Sequence, residues 1–271
     1  MTSLVRRRRG PFGYAIAALV AGAVVWTAVG HAQAPAQAPP PQRQLVAIVQ
    51  LNPAMVVTWE DLIKNQAMPA AKKNGTPWRH VYANGVAGTG FTRVTITPIT
   101  NYAQFDQPGG VQRAFGADVA TKYNAKLAPT VHSQQTYIQT LNLQSSIMGN
   151  STTPAPFVVV QSFRVFPGKG GDFQASLRED FLPAYRKAGV LDFLVFGTNF
   201  GGVDGVMARP IAKYAELDQP GLLQRAGLSE EAQAKINARR NATLAGPIET
   251  NIYRFIPELS YGMPGPPRAT N

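Results

Sequence analysis

The sequence predicts an α+β fold made of two tandem copies of one β-α-β-β-α-β unit. Two observations carry this. The segment YAQFDQPGGVQRA (Tyr102–Ala114) returns 112 residues later as YAELDQPGLLQRA (Tyr214–Ala226), with nine of thirteen positions identical. A shift of 114 aligns Pro53 with Pro167, Trp59 with Phe173, Met68-Pro69-Ala70 with Leu182-Pro183-Ala184 and Gly75 with Gly189. The repeated unit, about 105 residues, is too long for a solenoid repeat. In each copy β-rich runs and helical stretches follow one another in the same split-βαβ order.

The elements run as follows. Arg6–Arg9, an apolar run from Tyr14 to Val29 and the small residues Ala32 and Ala34 describe a secretory signal peptide over residues 1–34. The run has 16 residues, short of the ~20 of a spanning helix. The expected location is periplasmic or secreted, with membrane contact only through that segment if it stays uncleaved. Residues 35–44, rich in proline and alanine, read as a spacer. The first unit spans 45–143. It opens with the strand Leu45–Leu51, followed by a helix from Trp59 to a glycine C-cap at Gly75. Pro69 lies inside that helix and predicts a kink or break. Strands then come at 78–83 and 92–99, followed by the Tyr102 segment, a second helix and a strand from Thr136. Residues 144–156, polar and proline-containing, form the joint. The second unit, 157–260, repeats the order, with Gly189 as cap, Pro183 as the helix-internal proline and Ser229 opening its last helix. Residues 261–271 read as a flexible tail. In the repeated segment, Tyr102/Tyr214 and Phe105/Leu217 are expected under the sheet, and Asp106/Asp218 as helix caps.

Composition excludes several functions. Removing the signal takes four arginines, lowering the formal charge from +11 to +7, and leaves no Lys/Arg block for nucleic acid. The chain has no cysteine, and beyond the signal its histidines are His80 and His132. A zinc site is therefore not expected, and no cofactor is indicated. GVAGTG (Gly85–Gly90) lacks dinucleotide-loop spacing and falls in a hairpin.

The element order, with a Tyr-Ala-x-x-Asp segment after the third strand, resembles the dimeric α/β-barrel superfamily of ferredoxin-like units. That superfamily includes antibiotic-biosynthesis monooxygenase-like and NIPSNAP-like groups. The resemblance implies that the two units face each other through their sheets and enclose a barrel within one chain. Two classes of function follow: a cofactor-independent monooxygenase-like enzyme, or a non-catalytic envelope protein with a packed barrel. Haem, known elsewhere in the superfamily, would need His80 or His132 on an open cavity.

Strand alternation suggests two faces. Val49/Phe163, Leu51/Val165, Val81/Val195 and Leu141/Phe255 are assigned to the helix side. Gln50/Arg164, Thr97/Arg209, Thr140/Arg254, Trp78/Asp192, His80/Leu194 and Tyr82/Phe196 are assigned to the lumen. The candidate site therefore sets Trp78, Tyr82 and a catalytic His80 opposite Arg164, Arg209 and Arg254. Clustered guanidinium forks beside aromatic rings point to a small planar anion.

Overall fold

The computed structural model of the chain describes residues 42–263. The expected signal peptide, the spacer up to residue 41 and the tail from residue 264 lie outside the described residues. Eight strands close into one antiparallel barrel. They are β1 (Arg43–Leu51), β2 (His80–Asn84), β3 (Thr92–Ile99), β4 (Val131–Leu141), β5 (Phe157–Phe163), β6 (Leu194–Phe200), β7 (Gly205–Ile211) and β8 (Glu249–Phe255). The order around the barrel is β1-β3-β2-β8-β5-β7-β6-β4. The arrangement β4-β1-β3-β2 thus recurs as β8-β5-β7-β6, joined by β2 with β8 and β4 with β6. Closure pairs every strand with a neighbour on each side, so the sheet presents no free edge strand. β1 begins at Arg43, so the last two residues of the expected spacer belong to the wall.

Helices cover the outside: α1 (Val56–Leu62), α2 (Met68–Lys73), α3 (Gly110–Phe115), α4 (Ala117–Leu127), α5 (Gly170–Ser176), α6 (Leu182–Lys187), α7 (Leu222–Arg225) and α8 (Glu230–Asn241). The break expected at Pro69 and Pro183 takes the form of π-helical turns, Ile63–Ala67 and Leu177–Phe181, which join α1 to α2 and α5 to α6. Met68 N–H donates to Ile63 O, and Leu182 N–H to Leu177 O, five residues back. The wider turn takes up the backbone mismatch that a proline creates, so the helical path continues.

Both paths end in the same cap. Gly75 (φ +76°) and Gly189 (φ +78°) are left-handed. Their N–H groups donate to Lys72 O and Arg186 O, and the following residues donate to Ala71 O and Tyr185 O. This is the double-bonded glycine termination expected at C′.

Two apolar layers lie between barrel and helices. In one, Val49, Leu51 and Val81 meet Trp59 and Ile63; in the other, Phe163, Val195 and Met207 meet Phe173, Leu177 and Phe181. Phe173, Leu177 and Phe181 are each 1–2 % exposed, so this second layer is where a truncation would be felt most.

The repeated segment departs from expectation. Tyr102–Asp106 and Tyr214–Leu217 are 3₁₀ turns, and Gly109 and Gly221, not Asp106 and Asp218, occupy the N-cap positions of α3 and α7. Tyr102, Phe105 and Leu217 are exposed rather than packed under the sheet. Tyr102 rests against Phe200 under the Arg43 guanidinium, and Tyr214 stacks on Phe157. Arg225 donates to Ala188 O at the end of α6, tying the short helix to its neighbour at 2.8 Å.

Candidate functional site

The lumen holds a cavity of about 280 Å³. Its apolar wall comes from alternate residues, among them Val46, Ile48, Val94, Val158, Val160 and Val206. Polar groups enter at few points. Gln44 on β1 donates to Gln139 on β4 across the strand pair at 3.3 Å, and Gln139 is 3 % exposed.

Trp78, His80 and Tyr82 share this cavity because they alternate along β2 and its N-terminal approach. His80 is 2 % exposed and enclosed by rings: Trp78 at 5.4 Å, Phe255 at 5.2 Å and Tyr82 at 6.2 Å between centroids. Its Nε2 lies 3.0 Å from Gly262 O and its Nδ1 3.3 Å from Tyr82 Oη. A carbonyl only accepts, so Nε2 carries the proton and Nδ1 accepts from the Tyr82 hydroxyl. Burial lowers the His80 pKa, with the Gly262 bond opposing, and burial raises that of Tyr82. The pair is therefore neutral near neutral pH.

The residues around this pair come from segments that the sequence assigned to loops. Tyr261 pairs with Arg79 as an isolated bridge, and Gly262 follows at φ +68°. A Cβ at Gly262 would lie 2.8 Å from Trp78 Cβ, so glycine is what lets its carbonyl reach His80. In the joint, Met148, Ser151, Thr153, Pro154 and Ala155 line one end of the cavity. Asp192 accepts from Gly149 N–H at 2.6 Å and holds that segment in place.

The three arginines do not face Trp78, His80 and Tyr82. Arg164 follows the end of β5 and is exposed, and Arg254 is exposed on the outer face of β8, opposite in alternation to the cavity-lining Tyr253. Arg209 alternates with Val206, Ala208 and Pro210, which line the cavity, and so faces the helices. Burial lowers its pKa there, while Glu216 opposes. Thr97 is out of phase with the lumen-facing Val94 and Ile96 in the same way. Phe255, assigned to the helix side, instead packs against His80 and Tyr82. No lysine or arginine lines the cavity among the described residues, and the carboxylate there is Asp192, already bonded to Gly149. The expectation that Arg164, Arg209 and Arg254 hold an anion in the lumen is thereby corrected: none of the three lines the cavity.

Solved structures share the architecture. An anthrone oxidase-like protein superposes with a TM-score of 0.54 at 14% identity, over 79% of this chain and 91% of its own. A candidate monooxygenase of Fusobacterium nucleatum subsp. nucleatum ATCC 25586 gives 0.53 at 8% identity, over 79% and 92%. Another, from Lactobacillus acidophilus NCFM, gives 0.51 at 8%, over 79% and 94%. The fold is that of the dimeric α/β barrels. No family model matches this chain, and no curated protein matches it in sequence.

Haem binding was expected to need His80 or His132 facing an open cavity. His80 has both ring nitrogens engaged, and His132 on β4 is exposed away from the cavity, so these residues do not fit an axial ligand. Among the described residues no group of three His, Asp or Glu side chains is placed to hold a metal ion.

Proposed function

We propose that this chain is an exported, internally duplicated barrel of ferredoxin-like halves. In this reading it binds a neutral planar molecule in the lumen and oxidises it in the manner of a cofactor-independent monooxygenase. The observation that carries the reading is the neutral Tyr82–His80 pair set among aromatic rings in an otherwise apolar cavity. The recurrence of strand order, π-helical turn and glycine cap in both halves supports the duplication.

A cavity of ~150 Å³ accommodates one benzene ring, so about 280 Å³ suits a body of two or three fused rings. A hydroxyl or enol on that body would donate to Tyr82 Oη. As it ionises, its proton passes to Tyr82 while the phenol proton passes to His80 Nδ1, leaving an imidazolium whose Nε2–H stays on Gly262 O. Dioxygen is the oxidant. For anthrone, the ligand class named by one structural relative, anthrone and dioxygen would give anthraquinone and water.

The test is oxygen uptake with anthrone. One dioxygen should disappear per anthraquinone formed, and His80→Phe should lose turnover while still quenching Trp78 fluorescence on binding. Undiminished turnover in His80→Phe, or no binding at all, overturns the reading. A non-catalytic carrier is the second reading, favoured by the engagement of both His80 nitrogens. Binding without oxygen uptake selects it.

A further inference from the structure

The lumen does not end at the apolar cavity. A second compartment of about 460 Å³ shares Ile48 and Tyr253 with it. Its lining has a different chemistry: the amides Gln50, Asn84, Gln134, Gln135 and Asn251, with hydroxyls from Thr89, Thr92 and Ser133. No lining residue carries a charge. Eight neutral hydrogen-bonding side chains at one end contrast with the valine-rich wall at the other.

Part of this set is fixed within the protein. Gln50 donates to Gly90 O and accepts from Thr92 Oγ1, which fastens the β2–β3 hairpin to β1. Gln135 accepts from the Tyr137 hydroxyl at 2.6 Å, which leaves its NH₂ as a donor. Asn84 and Asn251 make no side-chain hydrogen bond among the described residues. Asn84 is in register with Tyr253 on the β2–β8 pair, so Asn251, two residues from Tyr253, falls on the same lumen face. Asn84 and Asn251 are thus unengaged beside Tyr253, which also lines the apolar cavity, while Thr89, Ser133, Gln134 and Gln135 are exposed at this end.

The chemistry of a matching ligand follows. An ionic group would find no counter-charge among the lining side chains, and an apolar group would displace water from these partly exposed amides without replacing its hydrogen bonds. Each amide offers both a donor and an acceptor, which suits a group whose oxygens also do both. Resting on the reading that a planar body fills the apolar cavity, we infer that the amide-lined compartment binds a neutral, hydroxyl-rich substituent of that same ligand. The substrate class is then an aromatic glycoside or polyol conjugate rather than a free aromatic compound.

Calorimetry under argon, which prevents turnover, tests this with 1-naphthol, 1-naphthyl β-D-glucoside and 1-naphthyl phosphate. The glucoside should bind about tenfold more tightly than naphthol, as expected for two or three added hydrogen bonds, and the phosphate more weakly than the glucoside. In the double variant Asn84→Leu, Asn251→Leu the glucoside should fall to naphthol's affinity, with naphthol unchanged. Serine at both positions replaces leucine if circular dichroism shows that the leucine variant does not fold. If naphthol binds and the glucoside binds no better, or if the variants keep the glucoside's advantage, the inference fails and the apolar-cavity reading stands. If neither naphthol nor the glucoside binds, both fail together.

Discussion

Replacing Tyr82 with Phe removes one oxygen and keeps the ring that packs on Phe255 at 5.5 Å. The lost hydroxyl is the donor to His80 Nδ1, and His80 is 2 % exposed. A buried acceptor left unmet costs about 1–3 kcal/mol. The native bond is 3.3 Å, longer than a typical side-chain hydrogen bond, which places the expected loss near about 1 kcal/mol.

The same substitution changes the response to acid. Burial holds the native His80 pKa below its unfolded value. At about pH 8 both states are neutral and His80 contributes no pH dependence. Below about pH 6.5 the unfolded chain takes up the proton first, so stability falls as pH drops through that range. A bond accepted by Nδ1 favours the neutral ring. Without it the native pKa rises, and the acid-induced loss should be smaller in Tyr82→Phe than in the native chain. Urea unfolding at several pH values measures both effects, and ¹⁵N spectra of the imidazole report the tautomer. A stability change below about 0.3 kcal/mol at high pH, together with a spectrum placing the proton on Nδ1, would refute the argument.

Gly205→Ala should cost about 1–3 kcal/mol in urea unfolding, because the new methyl would overlap the Phe163 ring and sit 2.7 Å from Phe196 O. Ala208→Phe directs a ring into the 280 Å³ cavity; it should hold or raise the thermal midpoint by up to about 1 kcal/mol equivalent and weaken naphthol binding at least about tenfold. Arg93→Met should leave naphthol affinity unchanged in calorimetry, since Arg93 faces the helices and pairs with Glu60 at 2.8 Å; its removal should cost about 1–3 kcal/mol in unfolding.

How much of this was legible depended on which signal each feature left in the chain. The element order was readable because two copies agreed on it, and the glycine caps at Gly75 and Gly189 because their conformation demands that residue. The faces were harder. A wall strand here is buried on the lumen side and on the helix side, so TRVTITPI in β3 shows no clean alternation, and Thr97 was given to the wrong face along with its counterpart Arg209. Trp78, His80 and Tyr82 could be placed because they alternate at a spacing of two along β2 and the residues leading into it. Phe255, Gly262 and the 148–155 segment could not, since each reaches His80 or the cavity through contacts with residues far away in sequence. The prolines marked where each helix is interrupted, but not how: the π-helical turn there is a backbone adjustment with no residue signature of its own.

The strand pairing beneath the site has a further consequence. β2 and β8 share three registered pairs, Tyr82 with Phe255, Ala83 with Arg254 and Asn84 with Tyr253, against eight between β1 and β3. Backbone bonds from Gly85 N to Ile252 O and from Ile256 N to Val81 O flank them. A short ladder is where local opening is easiest, and here both of its strands also carry cavity-lining side chains. Occupancy of the cavity and closure of that ladder are then linked equilibria. A molecule bound across Tyr82 and Tyr253 should slow amide exchange along this seam by the factor that seam opening weakens its binding. Hydrogen–deuterium exchange at Ala83 and Arg254 would thus register a ligand without either residue touching it.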